Sequence, residues 1–144
     1  MTLNLVKMAV GISDLEHLAA VQAARLAESV RQGEGPRLWH YTRNAPRRAA
    51  ELLDGGSLYW IVKGRIRARQ RVIGLESDTD DEGRRYCMLM LDPALVPTEP
   101  RPHRAIQGWR YLDAADAPPD IASTAEDAAL PAGLAAELRD MGLL

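Results

Sequence analysis

Five cations occupy every second position in the middle of the chain, within the stretch GSLYWIVKGRIRARQRVIG, residues 56–74. Successive side chains of a strand point to opposite faces of a sheet, so one extended strand would collect all five cations on one face. We call these residues the cationic row: Lys63, Arg65, Arg67, Arg69 and Arg71. The strand's two-residue repeat of about 6.6 Å is close to the phosphate spacing of an extended single strand of nucleic acid, roughly 6 to 7 Å from the duplex rise.

Further cations and aromatic residues accompany the row. A basic groove with aromatic platforms is how many proteins hold single-stranded nucleic acid. The pattern therefore predicts binding of RNA or another phosphate-rich ligand. The candidates for phosphate contacts are Arg43, Arg47, Arg48, Lys63, Arg69, Arg71 and Arg110, and those for stacking are Trp39, Tyr59 and Trp109. The structural alternative is a solvated strand face whose cations pair with neighbouring carboxylates.

His40 is the candidate for acid–base chemistry, because it lies between two aromatic residues and three positions before Arg43. It would act on a nucleotide-like substrate, whereas the structural alternative is an imidazole held by a hydrogen bond. The three histidines are far apart in sequence, and no glycine-rich loop matches a nucleotide-binding fingerprint. We therefore expect neither a metal site nor a cofactor.

Charge is distributed unevenly, although the net charge is only −2. Residues 36–72 hold nine cations and two acids, and the chain from residue 113 onward holds seven acids and one cation. Such a basic segment can attract a phosphate-bearing partner. It can also meet an acidic protein, including the acidic tail of a second copy in a homodimer.

The elements that must position these residues follow from periodicity and turn signals. We expect a strand over residues 3–10, then a helix capped by Ser13 and ending near Gly33, and a short helix between Asn44 and Gly55. A long strand over residues 56–74 leads through the turn SDTDDEGRR into a hairpin, with either a bulge near Gly74 or a local burial of the cationic face. The proline-rich residues 92–104 predict an irregular connection, and AIQGWRYL predicts a last strand.

This order lacks the strand–helix alternation of a parallel sheet. It predicts an α+β fold, with a small, bent antiparallel or mixed sheet, or a partial barrel, and flanking helices. Residues 1–121 would form one globular domain, and residues 122–144 an acidic helical tail. The single cysteine, the lack of a leader and the lack of a long apolar run predict a cytoplasmic protein without a membrane span.

Three long strings resemble a bacterial family catalogued as a domain of unknown function: LWHYTRNAPRRAAELLDGGSLYWIVKGRIRARQRVIG, LDPALVPTEPRPHRAIQGWRYL and DAPPDI. The resemblance covers nearly all of residues 1–121 and leaves the tail outside. Arg65 and Arg67 look peculiar to this chain. The pattern that resembles the family includes Trp39, His40, Thr42, Arg43, Arg48, Lys63, Arg69, Gln70, Arg71, Trp109 and Arg110. The order of elements is also similar to small barrels of the PUA and ASCH type, which mostly handle RNA or modified nucleotides.

Overall fold

A computed structural model describes residues 2–121, so the predicted helical tail lies outside the described residues. Seven strands, two α-helices and a short 3₁₀ helix at Ala114–Asp116 occupy this range. In chain order the strands and helices are β1 (Leu3–Met8), α1 (Leu15–Arg31), β2 (Leu38–Thr42), α2 (Ala49–Leu53), β3 (Ser57–Val62), β4 (Arg65–Thr79), β5 (Arg85–Leu91), β6 (Val96–Pro102) and β7 (Trp109–Asp113). Neither helix is long and apolar enough to cross a membrane.

The strands form one mixed sheet in the order β2-β5-β4-β3-β1-β7. Strand β1 runs parallel to β3, and the other pairs are antiparallel. The long strand β4 pairs with β6 along its first half and with β5 along its second half. The predicted α+β fold with a mixed sheet is confirmed, and the sheet is open rather than closed into a barrel.

Helix α1 covers one face of the sheet. Its residues Leu15 and Leu18 pack into a cluster with Leu5, Leu58 and Trp60. A second cluster on other strand positions includes Val6, Tyr59, Ile61, Ile66 and Leu112. Each large apolar side chain that is fully buried contributes about 1.5 to 3 kcal/mol, so these clusters hold the sheet and α1 together. The cap of α1 is Asp14 rather than Ser13, because the His17 amide donates to Asp14 Oδ1 at 2.7 Å.

The predicted strand over residues 56–74 is two strands joined by a tight turn. Lys63 and Gly64 have φ of +49° and +80°, which is the backbone of a two-residue hairpin turn that matches the twist of the strands. A single extended strand was therefore wrong. The bulge expected near Gly74 is confirmed, because the pairing of β4 with β5 shifts register between Val72 and Gly74.

Three other elements differ from the sequence prediction. The segment LWHYT, for which no strand was predicted, is strand β2 and pairs with β5. The proline-rich connection contains strand β6, whose proline at position 102 faces Arg65 in the register with β4. The last strand begins at Trp109 instead of Ala105. Prolines are tolerated in β6 because β6 pairs through only a few positions of β4, so few of its amides are needed as donors.

Candidate functional site

A pocket with a cavity volume of about 190 Å³ lies between α1 and the sheet. The end of β1, one face of α1 and the start of β2 form its walls. Its polar and aromatic lining consists of Lys7, Gln22, Arg25, Trp39, His40 and Trp60. Concave sites lined by apolar groups with a few convergent polar groups are the usual form of a ligand site, so this pocket is the leading candidate.

His40 is the central polar group of the pocket. Its ring lies edge-on to the Trp60 ring, with centroids 5.0 Å apart. Its Nε2 is buried and has no hydrogen-bond partner among residues 2–121. Burial first, and then the positive charges of Lys7 and Arg25, lower the pKa of His40 from 6.5 to about 4. The imidazole is therefore neutral at pH 7, and the structural hydrogen bond considered above is absent at Nε2.

Two cations reach the pocket from elements that sequence reasoning did not combine. Lys7 alternates with Leu5 and Ala9, which belong to the main core cluster, so it lies on the face of β1 that α1 covers. Burial lowers the pKa of Lys7. Arg25 lies on α1, three positions after Gln22, and is exposed at the pocket rim. These two positive charges beside a neutral imidazole make an environment suited to an anion.

A fully bonded amide network forms the wall beside His40. The Gln70 amide is completely buried, and its Oε1 accepts from Gln22 Nε2 at 2.7 Å and from Trp60 Nε1 at 2.8 Å. Its Nε2 donates to Gln22 Oε1 at 2.8 Å and to the Asp92 carbonyl at 3.1 Å. Because every polar group of Gln70 is used, the network fixes the Trp60 ring against which His40 packs.

A wider groove of about 510 Å³ adjoins the pocket and shares Arg25, Trp39 and His40 with it. Its other polar walls include Glu28 and Arg37. A group bound in the pocket could therefore extend along the groove beside the indole of Trp39. Of the predicted site residues, the structure brings together only His40 and Trp39 here.

The cationic row is dispersed. Lys63 lies in the turn, and Arg67 lies at a second irregularity where the register of β4 with β3 shifts. Arg69 forms what we call the Arg69–Asp120 clamp: its Nε and Nη2 donate to the two carboxylate oxygens at 2.7 and 2.6 Å. Its Nη1 donates to Ser57 Oγ at 3.1 Å. Arg69 is therefore held by protein groups, although it was predicted to contact phosphate.

The other predicted residues are spread over separate surfaces. Tyr59 lies opposite Arg69 in the sheet and is only 7% exposed, so it offers no stacking platform. The indole Nε1 of Trp109 donates to the Asn44 carbonyl at 2.8 Å. Arg43, Arg47 and Arg71 are exposed.

Two further arginines are engaged locally. Arg48 pairs with Glu51 and lies over the Tyr111 ring, 5.5 Å from its centroid. The guanidinium of Arg110 donates to the carbonyl oxygens of Gln107 and Trp109. Neither arginine lines the His40 pocket. Among residues 2–121 there is no cluster of three or more His, Cys, Asp or Glu side chains suited to a metal ion.

Two signals in the sequence could have pointed to the missed pocket residues. Gln22 continues the helix stripe of Leu15 and Leu18, where a polar side chain needs a buried partner. Lys7 is a charged residue in β1 at a position whose alternate neighbours, Leu5 and Ala9, are core residues. Arg25 carries no such signal, because an exposed arginine on a helix is ordinary.

Comparison with curated proteins and with solved structures finds no match for the chain. The similarity to PUA and ASCH barrels is therefore not confirmed. One family model does match, over residues 5–144, and it is described as a protein of unknown function, DUF1489. The match includes the tail that the resemblance had left outside the family. Because it spans almost the entire sequence, the chain belongs to the DUF1489 family.

Proposed function

We propose that this protein binds a phosphate-bearing ligand of nucleotide size in the His40 pocket. The observation that carries the proposal is the buried Nε2 of His40, which has no partner among the described residues and lies in a pocket with two cations. A buried polar atom without a partner costs about 1 to 3 kcal/mol, and a ligand oxygen accepting from an Nε2–H tautomer would recover that cost.

The charges favour phosphate over a single carboxylate. A phosphate monoester carries a charge of about −1.5 to −2 at pH 7, and Lys7 and Arg25 supply two positive charges. The Arg25 guanidinium can donate two parallel hydrogen bonds to such a group. The partly exposed indole of Trp39 lies where the pocket meets the groove, so it is placed to stack on a base.

The residues proposed to contact phosphate differ from those predicted from the sequence. Binding of RNA along the cationic row has less support, because the row is divided by a turn and Arg69 is held by Asp120. The pocket instead draws its charges from β1 and α1. Of the residues predicted from sequence, it retains His40 and Trp39.

Catalysis is the second candidate function, and the neutral ring of His40 is the observation that favours it. A neutral imidazole can accept a proton from a nucleotide-like substrate. A general base works best when its pKa is near the working pH, and a pKa of about 4 makes His40 a weak base at neutral pH. The His40 ring is therefore better suited to binding a ligand than to accepting a proton at neutral pH.

Isothermal titration calorimetry with inorganic phosphate, AMP and succinate tests the proposal on the full chain. We expect saturable binding of phosphate, tighter binding of AMP because its base can stack on Trp39, and the weakest binding for succinate. Arg25→Gln and Lys7→Met should each weaken AMP binding by roughly 10-fold or more, since a hydrogen bond to a charged group contributes about 1.5 to 3 kcal/mol.

Arg31→Gln is the matched control, because Arg31 lies on the same helix, pairs with Glu28 and does not line the pocket. It should bind AMP like the wild type. The proposal is overturned if the folded wild type shows no saturable binding of phosphate or AMP at millimolar concentration. It is also overturned if the Arg31 variant loses as much affinity as the Arg25 variant.

A further inference from the structure

A second basic surface lies where the β3–β4 turn meets the end of β6, and no pocket residue belongs to it. Strand β6 pairs with the start of β4, so that Pro102 faces Arg65 and Arg101 faces Ile66. Beyond β6, the His103 amide donates to the Gly64 carbonyl at 2.9 Å. We call this the strand-end surface: Lys63, Arg65, Arg101, His103 and Arg104.

The strand-end surface has strong positive charge because both of its chain segments lack acids. No Asp or Glu occurs in residues 57–75 or in residues 100–112. All four of its Lys and Arg side chains are exposed, and none makes an ion pair within the described part of the chain. The Arg101 guanidinium donates to the Asp116 backbone carbonyl, which orders the side chain without forming an ion pair of the described residues.

A nucleic-acid backbone fits this surface better than a protein does. Protein interfaces depend on aromatic or apolar anchors at their centre. The large exposed apolar side chains of the described residues are elsewhere, at Val10, Val30, Tyr41, Leu53 and Ile73. Arginines without such anchors suit phosphodiesters, which guanidinium groups contact through paired donors and which need no apolar contact.

We propose that the strand-end surface binds the phosphodiester backbone of a nucleic acid, without reading its sequence. Its residues differ from those of the His40 pocket, so this inference does not depend on the proposed ligand of that pocket. The turn sets the geometry: because Lys63 and Gly64 reverse the chain, two cations of the predicted row lie at the same end of the sheet as the last residues of β6. Arg65 and Arg101 project from opposite faces of that end, because Arg101 pairs with Ile66, the neighbour of Arg65.

Fluorescence anisotropy with labelled single-stranded RNA, single-stranded DNA and duplex DNA, across a salt series, tests this proposal. The key variant is Lys63→Gln/Arg65→Gln/Arg104→Gln, which changes only exposed side chains. We expect wild-type affinity to fall as salt rises. The slope of log affinity against log salt should become shallower by about 2 to 3 in the variant, because each of the three lost phosphate contacts contributes about 0.7 to 0.9.

The matched control is Arg31→Gln/Arg47→Gln/Arg85→Gln, which removes the same charge from other exposed positions. It should keep most of the slope. An equal loss in this control would mean that net charge alone drives binding and would overturn the proposal, as would the absence of salt-sensitive binding by the wild type. Equally tight binding of a polyglutamate peptide would overturn the assignment to nucleic acid.

The pocket variant Arg25→Gln separates this proposal from the proposed function. If it loses AMP binding and keeps nucleic-acid binding, the two sites are independent, as we expect. If it loses nucleic-acid binding as strongly as the strand-end variant does, the nucleic acid occupies the pocket and the strand-end proposal is overturned. Failure of the wild type to bind AMP, with its nucleic-acid binding intact, would overturn only the function proposed for the pocket.

Discussion

The Arg69–Asp120 clamp and the His40 pocket differ in whether their partly buried polar groups have partners within the protein. In the clamp, the guanidinium of Arg69 is matched by a carboxylate and by the Ser57 hydroxyl. In the pocket, Lys7 and Arg25 lie near a neutral imidazole whose Nε2 has no partner among residues 2–121. A charge that is paired with an opposite charge stabilises the fold. Buried polar groups without partners lower the stability of the fold until a ligand forms hydrogen bonds or ion pairs with them. This difference separates a structural arginine from a candidate binding site.

The largest effect that we expect is a dependence of the free energy of unfolding on pH, caused by the titration of His40. In the unfolded chain the pKa is near 6.5, and in the folded protein it is about 4. Between these values the unfolded chain binds a proton that the folded protein does not, so stability falls as pH falls through this range. The 2.5-unit difference (6.5 minus 4) corresponds to a loss of about 3 kcal/mol by pH 4.

Urea unfolding at several pH values measures this loss. His40→Phe keeps a ring against Trp60 and removes the titration, so its stability should depend less on pH than that of the wild type. His103→Gln, outside the pocket, is the control and should keep the wild-type profile. Inorganic phosphate should reduce the loss, because an anion favours the protonated ring. An identical profile in His40→Phe would contradict the assignment of the loss to His40.

Removal of the clamp carboxylate should have the next largest effect. Asp120→Asn leaves the Arg69 guanidinium partly buried without its counter-charge, and we expect a loss of about 2 kcal/mol in the free energy of unfolding. The loss should be smaller than for a fully buried pair, because the two side chains are 28% and 22% exposed.

The control for the clamp is Glu51→Gln, which breaks the more exposed pair with Arg48, in which both side chains are 53% exposed. That change should cost less than about 1 kcal/mol. Urea unfolding of both variants compares the two pairs directly. Equal, small losses would mean that the clamp is an ordinary surface ion pair.

The smallest effect concerns the pocket lysine. Lys7→Met replaces a partly buried ammonium, whose pKa is lowered by burial, with an apolar side chain of similar length. We expect the ligand-free protein to gain about 0.5 to 1 kcal/mol, as is common when a binding residue is replaced by one suited to its surroundings. Thermal unfolding measures the gain, and calorimetry measures the accompanying loss of AMP binding. A loss of stability with unchanged AMP binding would indicate a structural lysine.

Local signals predicted much of the fold. The α1 stripe, the β4–β5 hairpin and the bulge near Gly74 were all predicted from patterns within a few residues of one another. Strand β2 was missed because LWHYT is short and begins with two adjacent apolar residues, Leu38 and Trp39, so the alternation extends over only four positions. Strand β6 was missed because prolines discourage a strand unless few ladder amides are needed.

The candidate site was predicted only in part, because its groups come from distant parts of the chain. His40 and Trp39 were predicted as site residues because they are neighbours in the sequence and their side chains suit acid–base chemistry and stacking. Lys7 and Arg25 became relevant only when β1, α1 and β2 packed around one cavity. Gln70 likewise acquired its role through Gln22, 48 residues away.

The sequence by itself determined the α+β class, the uneven distribution of charge and the alternation of cations with apolar residues around β4, because each depends on composition or on neighbouring positions. The tertiary structure alone decided what each cation does. Arg69 meets Asp120, 51 residues further along, and becomes structural. Lys7 and Arg25 lie beside His40 and form no ion pair with any residue of the described range 2–121, and Lys63 joins the end of β6 through a turn. The physical reason is that a charge acts through the groups within a few ångströms of it, and folding chooses those groups.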